Sequence, residues 1–365
     1  MPVIPILLAM DKKLIKSCTI EDLEEYFISI GEKRYRAKQI MIWLYEKNVD
    51  SFETMTNVSR ELRGVLDETF SLNALSLEER LVSAVDGSEK YLFRTHDGNF
   101  IESVLIRNEA TEDGRITVCL SSQVGCAMGC RFCETAKLGF IRDLEAGEII
   151  DQLCHVRRIS GQRNNNVVFM GMGEPFMNYD NVIRAAEIMN YSFGFHISVR
   201  KITISTSGVI AGIERFIDEE RPYNLAISLN DTVPEKRERI MPVERSNPFS
   251  AISRMLNEKF PASRNRLTVV YVMRSDNIST EDAKRLKKMF RYNRIKLNLI
   301  PLNEGGQGCD PPGEADVERF VRDLEIMNVP ITVRRSFGRD ISGACGQLSG
   351  KRYAASSGCD IGELP

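Results

Sequence analysis

From residue 115 onward, short β-branched runs alternate with helical stretches, and that alternation leaves few folds open. Runs at 116–120, 167–170, 201–205, 224–229, 267–273 and 296–301 have the density of Val, Ile, Leu and Thr expected of strands. Between them, 146–158, 181–189, 250–259, 280–290 and 315–327 carry apolar residues at helical spacing. Strand–helix units in series predict parallel strands joined by right-handed crossover helices. Six such units fit an open partial (βα)6 barrel, an α/β fold, better than a closed eight-fold one, and 331–335 adds a further strand. The barrel is expected over 115–350. An N-terminal helical accessory domain precedes it at 1–75, with helices at 21–30, 37–48 and 59–70. A β-rich connecting segment at 76–114 turns at Asp86-Gly87 and Asp97-Gly98. The Ser- and Gly-rich tail at 351–365 lacks periodicity and reads as flexible.

Charge bounds the partners only loosely. The net charge is −2 and the pI about 6.1, which excludes a uniformly basic nucleic-acid coat. Basic residues nevertheless cluster at Lys33, Arg34, Arg36 and Lys38, at Lys236, Arg237 and Arg239, and at Lys284, Arg285, Lys287 and Lys288. Each cluster alone reads as a solvated helix face. No apolar run approaches the roughly 20 residues of a membrane span, and the short 3–10 stretch lacks a cleavage site, so a cytoplasmic protein is expected. Nine cysteines in a chain this long suit metal ligands or active thiols better than a disulfide scaffold. Cys18, Cys154, Cys309 and Cys359 have no partner at motif spacing, and Cys154 sits in an apolar helical pattern that suggests core packing.

Directly after the first barrel strand comes Cys126-Ala-Met-Gly-Cys130-Arg-Phe-Cys133, spaced C-x3-C-x2-C. Three thiolates on one loop can hold three irons of a [4Fe–4S] cubane and leave the fourth open to a ligand. A structural zinc is the alternative, but it needs a fourth ligand, for which His155 or His196 is the candidate. After the next strand, Gly171-Met172-Gly173-Glu174-Pro175 puts a glycine turn at the strand's C-terminal end, where α/β folds bind ligands. Missing Cβ atoms there let backbone approach a ligand closely. Ser205-Thr206-Ser207-Gly208 and Ser228-Leu229-Asn230 end the next two strands; their hydroxyls suit a ribose and a carboxylate, and helix capping accounts for them almost as well.

With these residues the chain resembles the RlmN/Cfr family, radical S-adenosylmethionine enzymes that methylate an adenine ring carbon in RNA. The likeness runs from about Arg36 to Gly350. It is anchored at Arg36-Ala-Lys-Gln-Ile, Ser121-Ser-Gln-Val-Gly-Cys126, the 171–175 and 205–208 turns, and Ala344-Cys345-Gly346-Gln347-Leu348. It implies a radical SAM barrel with a [4Fe–4S] cluster on Cys126, Cys130 and Cys133, and S-adenosylmethionine held by Gly173, Glu174, Ser205, Ser228, Leu229, Asn230 and Asn303. It assigns Cys345 as the thiol that takes a methyl group from one S-adenosylmethionine. A second molecule is cleaved to a 5′-deoxyadenosyl radical, which activates that S-methyl for addition to the ring. Cys119 then stands where the family has its resolving thiol, which forms a disulfide with Cys345, and Glu102 aligns with the carboxylate that handles protons. Asn230 replaces a common His, Ala136 a common Gly, and the 303–314 loop is unlike the usual version.

Two subfamilies differ in target carbon. Pro175 and Ser207 look like the C2 version rather than the C8 one. The resemblance implies 23S rRNA as substrate, at the peptidyl transferase centre, with adenosine 37 of tRNA as a second target. It also implies a splayed-out base, an external reductant such as flavodoxin or ferredoxin, and a monomer. The basic helices around Lys33 and Lys38 are the expected RNA-binding appendage; plain packing is the competing role.

Overall fold

The computed structural model describes residues 12–108, 115–163, 166–260, 267–290, 295–302, 310–325, 330–334 and 336–350. Asn303, Cys309, Cys359 and the 351–365 tail lie outside the described residues.

The N-terminal unit comprises β1 (Lys13–Leu14), α1 (Ile20–Ser29), α2 (Tyr35–Met41), α3 (Arg60–Thr69) and β2 (Phe70–Ser71); α2 runs on as a π-helical turn at Ile42–Glu46, and β2 pairs in parallel with β1. α1 starts at Ile20 because Thr19 and Asp22 cap each other's backbone N–H, and Ser59 accepts the Leu62 N–H to start α3.

Three antiparallel strands follow: β3 (Leu75–Val82), β4 (Glu89–Thr95) and β5 (Phe100–Asn108). The expected turns at Asp86-Gly87 and Asp97-Gly98 join them. β5 then pairs antiparallel with β6 (Arg115–Cys119). A short hairpin, β7 (Gln123–Gly125) with β8 (Phe140–Asp143), encloses the cysteine loop. The barrel continues as α4 (Ala146–Ser160), β9 (Asn166–Phe169), α5 (Tyr179–Asn190), β10 (Ile202–Thr206), α6 (Ile210–Asp218) and β11 (Asn224–Ser228). It ends as α7 (Pro234–Ile240), α8 (Phe249–Lys259), β12 (Leu267–Met273), α9 (Thr280–Met289), β13 (Ile295–Pro301), α10 (Glu314–Glu325) and β14 (Ile331–Val333).

Strands β6 and β9 to β14 are parallel, as the alternation requires. Among the described residues they form one ten-stranded sheet with β3, β4 and β5, ordered β14-β13-β12-β11-β10-β9-β6-β5-β4-β3, so both edges are open. The 76–114 segment thus extends the barrel's own sheet. The pairing also settles which residues share a face. Lys90 lies opposite Val104, and Val104 opposite Cys119, while Glu102 is two residues along from Val104. Opposed and i, i+2 positions point the same way, so all four side chains face one side.

Several contacts fix the N-terminal unit to the barrel, among them a buried ion pair and a close backbone approach. Lys16 pairs with Asp151 of α4, both buried, and the other Asp151 oxygen accepts the N–H groups of Ala74 and Leu75 at 2.8 and 3.0 Å. Nearby, a Cβ on Gly147 would lie 2.6 Å from Ser17 Oγ and 2.9 Å from Leu14 Cβ, so α4 approaches this closely only because the residue is glycine. At the other end of the chain, residues 336–350 cross from β14 back to the β3–β5 flank. Gly338 N–H donates to Asp86 at 2.8 Å, and Ser83 Oγ donates to Asp340 at 2.7 Å. No helix among the described residues is long and apolar enough to cross a membrane.

Candidate active site

Cys126 enters its loop straight from β7. Gly125, at φ +73°, makes that exit: a Cβ there would sit 1.9 Å from Gly139 O. Cys126 N–H donates to the same Gly139 O at 2.8 Å, and Cys133 N–H donates to Cys130 O at 3.1 Å. The three cysteines line a cavity of about 710 Å³ at the C-terminal ends of the parallel strands. Gly173, Glu174, Pro175, Ser205, Ser207, Ser228 and Asn230 line it too, from three successive strand ends. Burial pushes the Cys126 thiol up to about 12 and raises Cys130 as well. Without a metal's charge these thiols are neutral, and bound iron would deprotonate them.

The zinc alternative loses its fourth ligand here. His155 packs on the Phe93 ring, 5.4 Å between centroids, and His196 lines a separate cavity with Arg163 and Lys201; neither reaches the cysteines. Among the described residues, no three His, Cys, Asp or Glu side chains converge to hold a single metal ion. Thiolates bound to separate irons of a cubane have no need to converge in that way.

The remaining lining fits a charged, polar cofactor. Glu174 is buried, and its carboxylate accepts Ser207 N–H at 2.7 Å and Phe176 N–H at 3.1 Å. Burial raises its pKa despite those bonds, so a cationic amino group entering the cavity would find a carboxyl in need of a counter-charge. Ser207 Oγ is buried beside that carboxylate. The glycine turn lines the cavity, and it has a packing role as well. Cβ atoms on Gly171 and Gly173 would collide with Leu120 and Gln123, 2.7 and 2.6 Å away. Their missing side chains let the turn pack against the 120–123 segment, which aligns the cavity wall with the cysteine loop.

Not every expected residue meets the cavity. Leu229 is buried and borders a different pocket between α7 and α8. Asn230, at φ +60°, accepts Val272 N–H at 3.0 Å with its side-chain oxygen, and its backbone carbonyl takes Arg274 and Asn277, each at 2.9 Å. Glu102 is fully buried and absent from the lining; Lys90, 3.1 Å from it, lines the cavity in its place. Two arginines escaped the sequence reading. Arg237 belongs to a cluster expected to be solvated, yet it is 0% exposed. It pairs with Glu244 and donates to the carbonyls of Ser207, Ser228 and Leu229, tying the β10 and β11 ends together. The Glu seven residues on was its only signal. Arg334 lines the second cavity.

That second cavity, about 30 Å³, lies beside the first and is lined by Cys119, Arg334 and Cys345 among others. Cys345 is exposed and borders both cavities; Cys119 is buried, and no disulfide joins the two. Burial pushes Cys119 up to about 12, with the nearby Cys345 adding to the rise and Arg334 opposing it.

A cysteine-lined cavity on the strand ends of an open (βα)6 barrel defines a radical S-adenosylmethionine enzyme, and residues 120–298 match the model of the Radical SAM superfamily. Residues 15–72 match the "Ribosomal RNA large subunit methyltransferase N-terminal domain". The chain is 44% identical to the "Dual-specificity RNA methyltransferase RlmN" of Geobacter sulfurreducens over 92% of each chain. It is also 44% identical to the protein of that name from Geotalea uraniireducens, over 94% of this chain and 98% of the relative. A crystal structure of a radical SAM methyltransferase from Sphaerobacter thermophilus superposes with a TM-score of 0.84 at 36% identity, covering 93% of this chain and all of the other. The chain belongs to the RlmN family of radical S-adenosylmethionine RNA methyltransferases. Membership implies a [4Fe–4S] cluster, S-adenosylmethionine and an RNA substrate.

Proposed function

We propose that the protein methylates C2 of an adenosine in 23S rRNA, and adenosine 37 of tRNA as a second target, through a methyl group carried on Cys345. The observation that carries this reading is the position of Cys345, which borders both the cavity of the cluster cysteines and the small cavity of Cys119. With the cluster on Cys126, Cys130 and Cys133, bound S-adenosylmethionine supplies one-electron chemistry that no side chain can.

The chain's own residues do the rest. Cys345 accepts a methyl group from one S-adenosylmethionine and presents it to the cavity while a second is consumed. The carrier is needed because a ring carbon between two nitrogens is not nucleophilic, which closes a polar transfer. After the carbon joins the ring, the adduct must give up the ring proton and one electron, which the cluster would accept. Cys119 thiolate then attacks Cys345 sulfur, the sulfur–carbon bond breaks with its electron pair on carbon, and that carbon takes up a proton, leaving a disulfide and the methylated base. Glu102 is the proton acceptor the resemblance proposes; Lys90 stands between it and the cavity. Pro175 and Ser207, the two residues that look like the C2 version, both line the cavity. The accessory domain is the RNA-binding appendage in this reading, and the enzyme acts as a cytoplasmic monomer with a flavodoxin or ferredoxin as reductant.

Mass spectrometry of purified protein tests the carrier. The Cys345 peptide gains a methyl group in active wild type, Cys345→Ala makes no product, and Cys119→Ala accumulates a covalent RNA–protein adduct. Nucleoside analysis of RNA from the reaction reads 2-methyladenosine; 8-methyladenosine would assign the other carbon. Methylated RNA from Cys345→Ala at wild-type rate would end the proposal.

A further inference from the structure

Building on that reading of Cys345, we propose that Lys90 is a positioning residue which, through Glu102, latches the carrier loop across the mouth of the cavity. The Glu102 carboxylate is fully buried. One oxygen lies 3.1 Å from Lys90 Nζ, and the other accepts the N–H groups of Ser349 and Gly350 at 2.7 and 3.1 Å. Those two amides close the loop that begins at Cys345. Its other fastenings come from just past the last cluster cysteine: Glu134 N–H donates to Gly346 O and Thr135 Oγ donates to Leu348 O, each at 2.7 Å. The loop is therefore held on one side by the cluster segment and on the other by Glu102.

Charge makes the second hold strong. A carboxylate accepts N–H bonds about twice as strongly as a neutral group. The carboxyl is buried at 0% exposure, and Lys90, 4% exposed, is the cation beside it. Removing that cation leaves the buried carboxyl without its ion-pair partner, and its hold on the two amides loosens. The pair sits on the sheet face that also carries Cys119, so the latch fixes the carrier sulfur relative to the thiol that discharges it.

Hydrogen exchange of the full-length, cluster-free protein, read by mass spectrometry on peptides spanning 336–350, tests the latch. Without S-adenosylmethionine or RNA present, its outcome is independent of whether methyl transfer follows the proposed route. Lys90→Met is expected to speed exchange at Ser349 and Gly350 by about tenfold, Glu102→Gln to do the same, and Lys90→Arg to restore wild-type protection. Unchanged exchange in Lys90→Met, with the fold intact by circular dichroism, would overturn the proposal. So would a rise spread evenly over β3, β4 and β5, since that marks a general core pair, and so would a failure of Lys90→Arg to restore protection.

Discussion

Thiol–disulfide exchange runs through the thiolate, and the fold holds Cys119 as a thiol. Burial lifts its pKa to about 12, against the pull of the Arg334 guanidinium. The sign is plain: below that pKa each unit of pH multiplies the thiolate fraction tenfold. Alkylation of Cys119 in the cluster-free protein should therefore climb about tenfold per unit from about pH 7 to pH 10. A plateau near 8.5, the value of an ordinary cysteine, would show that the site does not suppress ionisation. Legibility at this scale follows how local the evidence is. Cys126, Cys130 and Cys133 are readable because their spacing alone encodes the chemistry. Cys345, Cys119 and Glu102 stand out only through family likeness, since the chain brings them together from three distant segments. Lys90 and Arg237 are invisible: a lysine in an alternating strand and an arginine in a charged run read as solvated, and the partners that bury them are set by folding.

The element with least tolerance is the β7–β8 hairpin. Gly125 combines a left-handed backbone with a carbonyl 1.9 Å from where a side chain would begin. Gly125→Ala should cost about 1–3 kcal/mol in backbone strain alone, and the hairpin must open to relieve the clash, dragging Cys126 with it. Iron bound after anaerobic reconstitution should fall well below the wild-type level while far-ultraviolet circular dichroism stays the same; full iron loading would refute this. Strands and long helices of the barrel were legible because seven parallel strands and their crossovers repeat one rhythm. The short helices α6 and α7, nine and seven residues, were not: each spans too few turns for an apolar stripe to show. The glycine turn was read in the right place, while its packing on the 120–123 segment was not, because sequence shows a missing Cβ but not which atoms fill the space.

Across the whole molecule, a buried ion pair is one anchor of the accessory unit, beside the Arg184–Asp22 pair and the Asn48–Cys154 hydrogen bond. Asp151 serves Lys16, Ala74 and Leu75 together, so Asp151→Ala leaves a buried ammonium and two amides without partners. The expected loss is about 3–5 kcal/mol, seen as a lower unfolding midpoint, whereas a charge change at exposed Arg34 should move it little. An unchanged midpoint in Asp151→Ala would remove the anchor from the account. The accessory unit and open barrel were both foreseen from periodicity; the merging of the 76–114 strands into the barrel sheet was not, because pairing between β5 and β6 leaves no mark in either strand.

The strap at 336–350 that returns from β14 to the opposite flank makes the reactive sulfur a late arrival in space. Its moorings at Asp86 and Ser83 exist only once the far end of the sheet has formed, so a half-folded copy leaves that sulfur adrift.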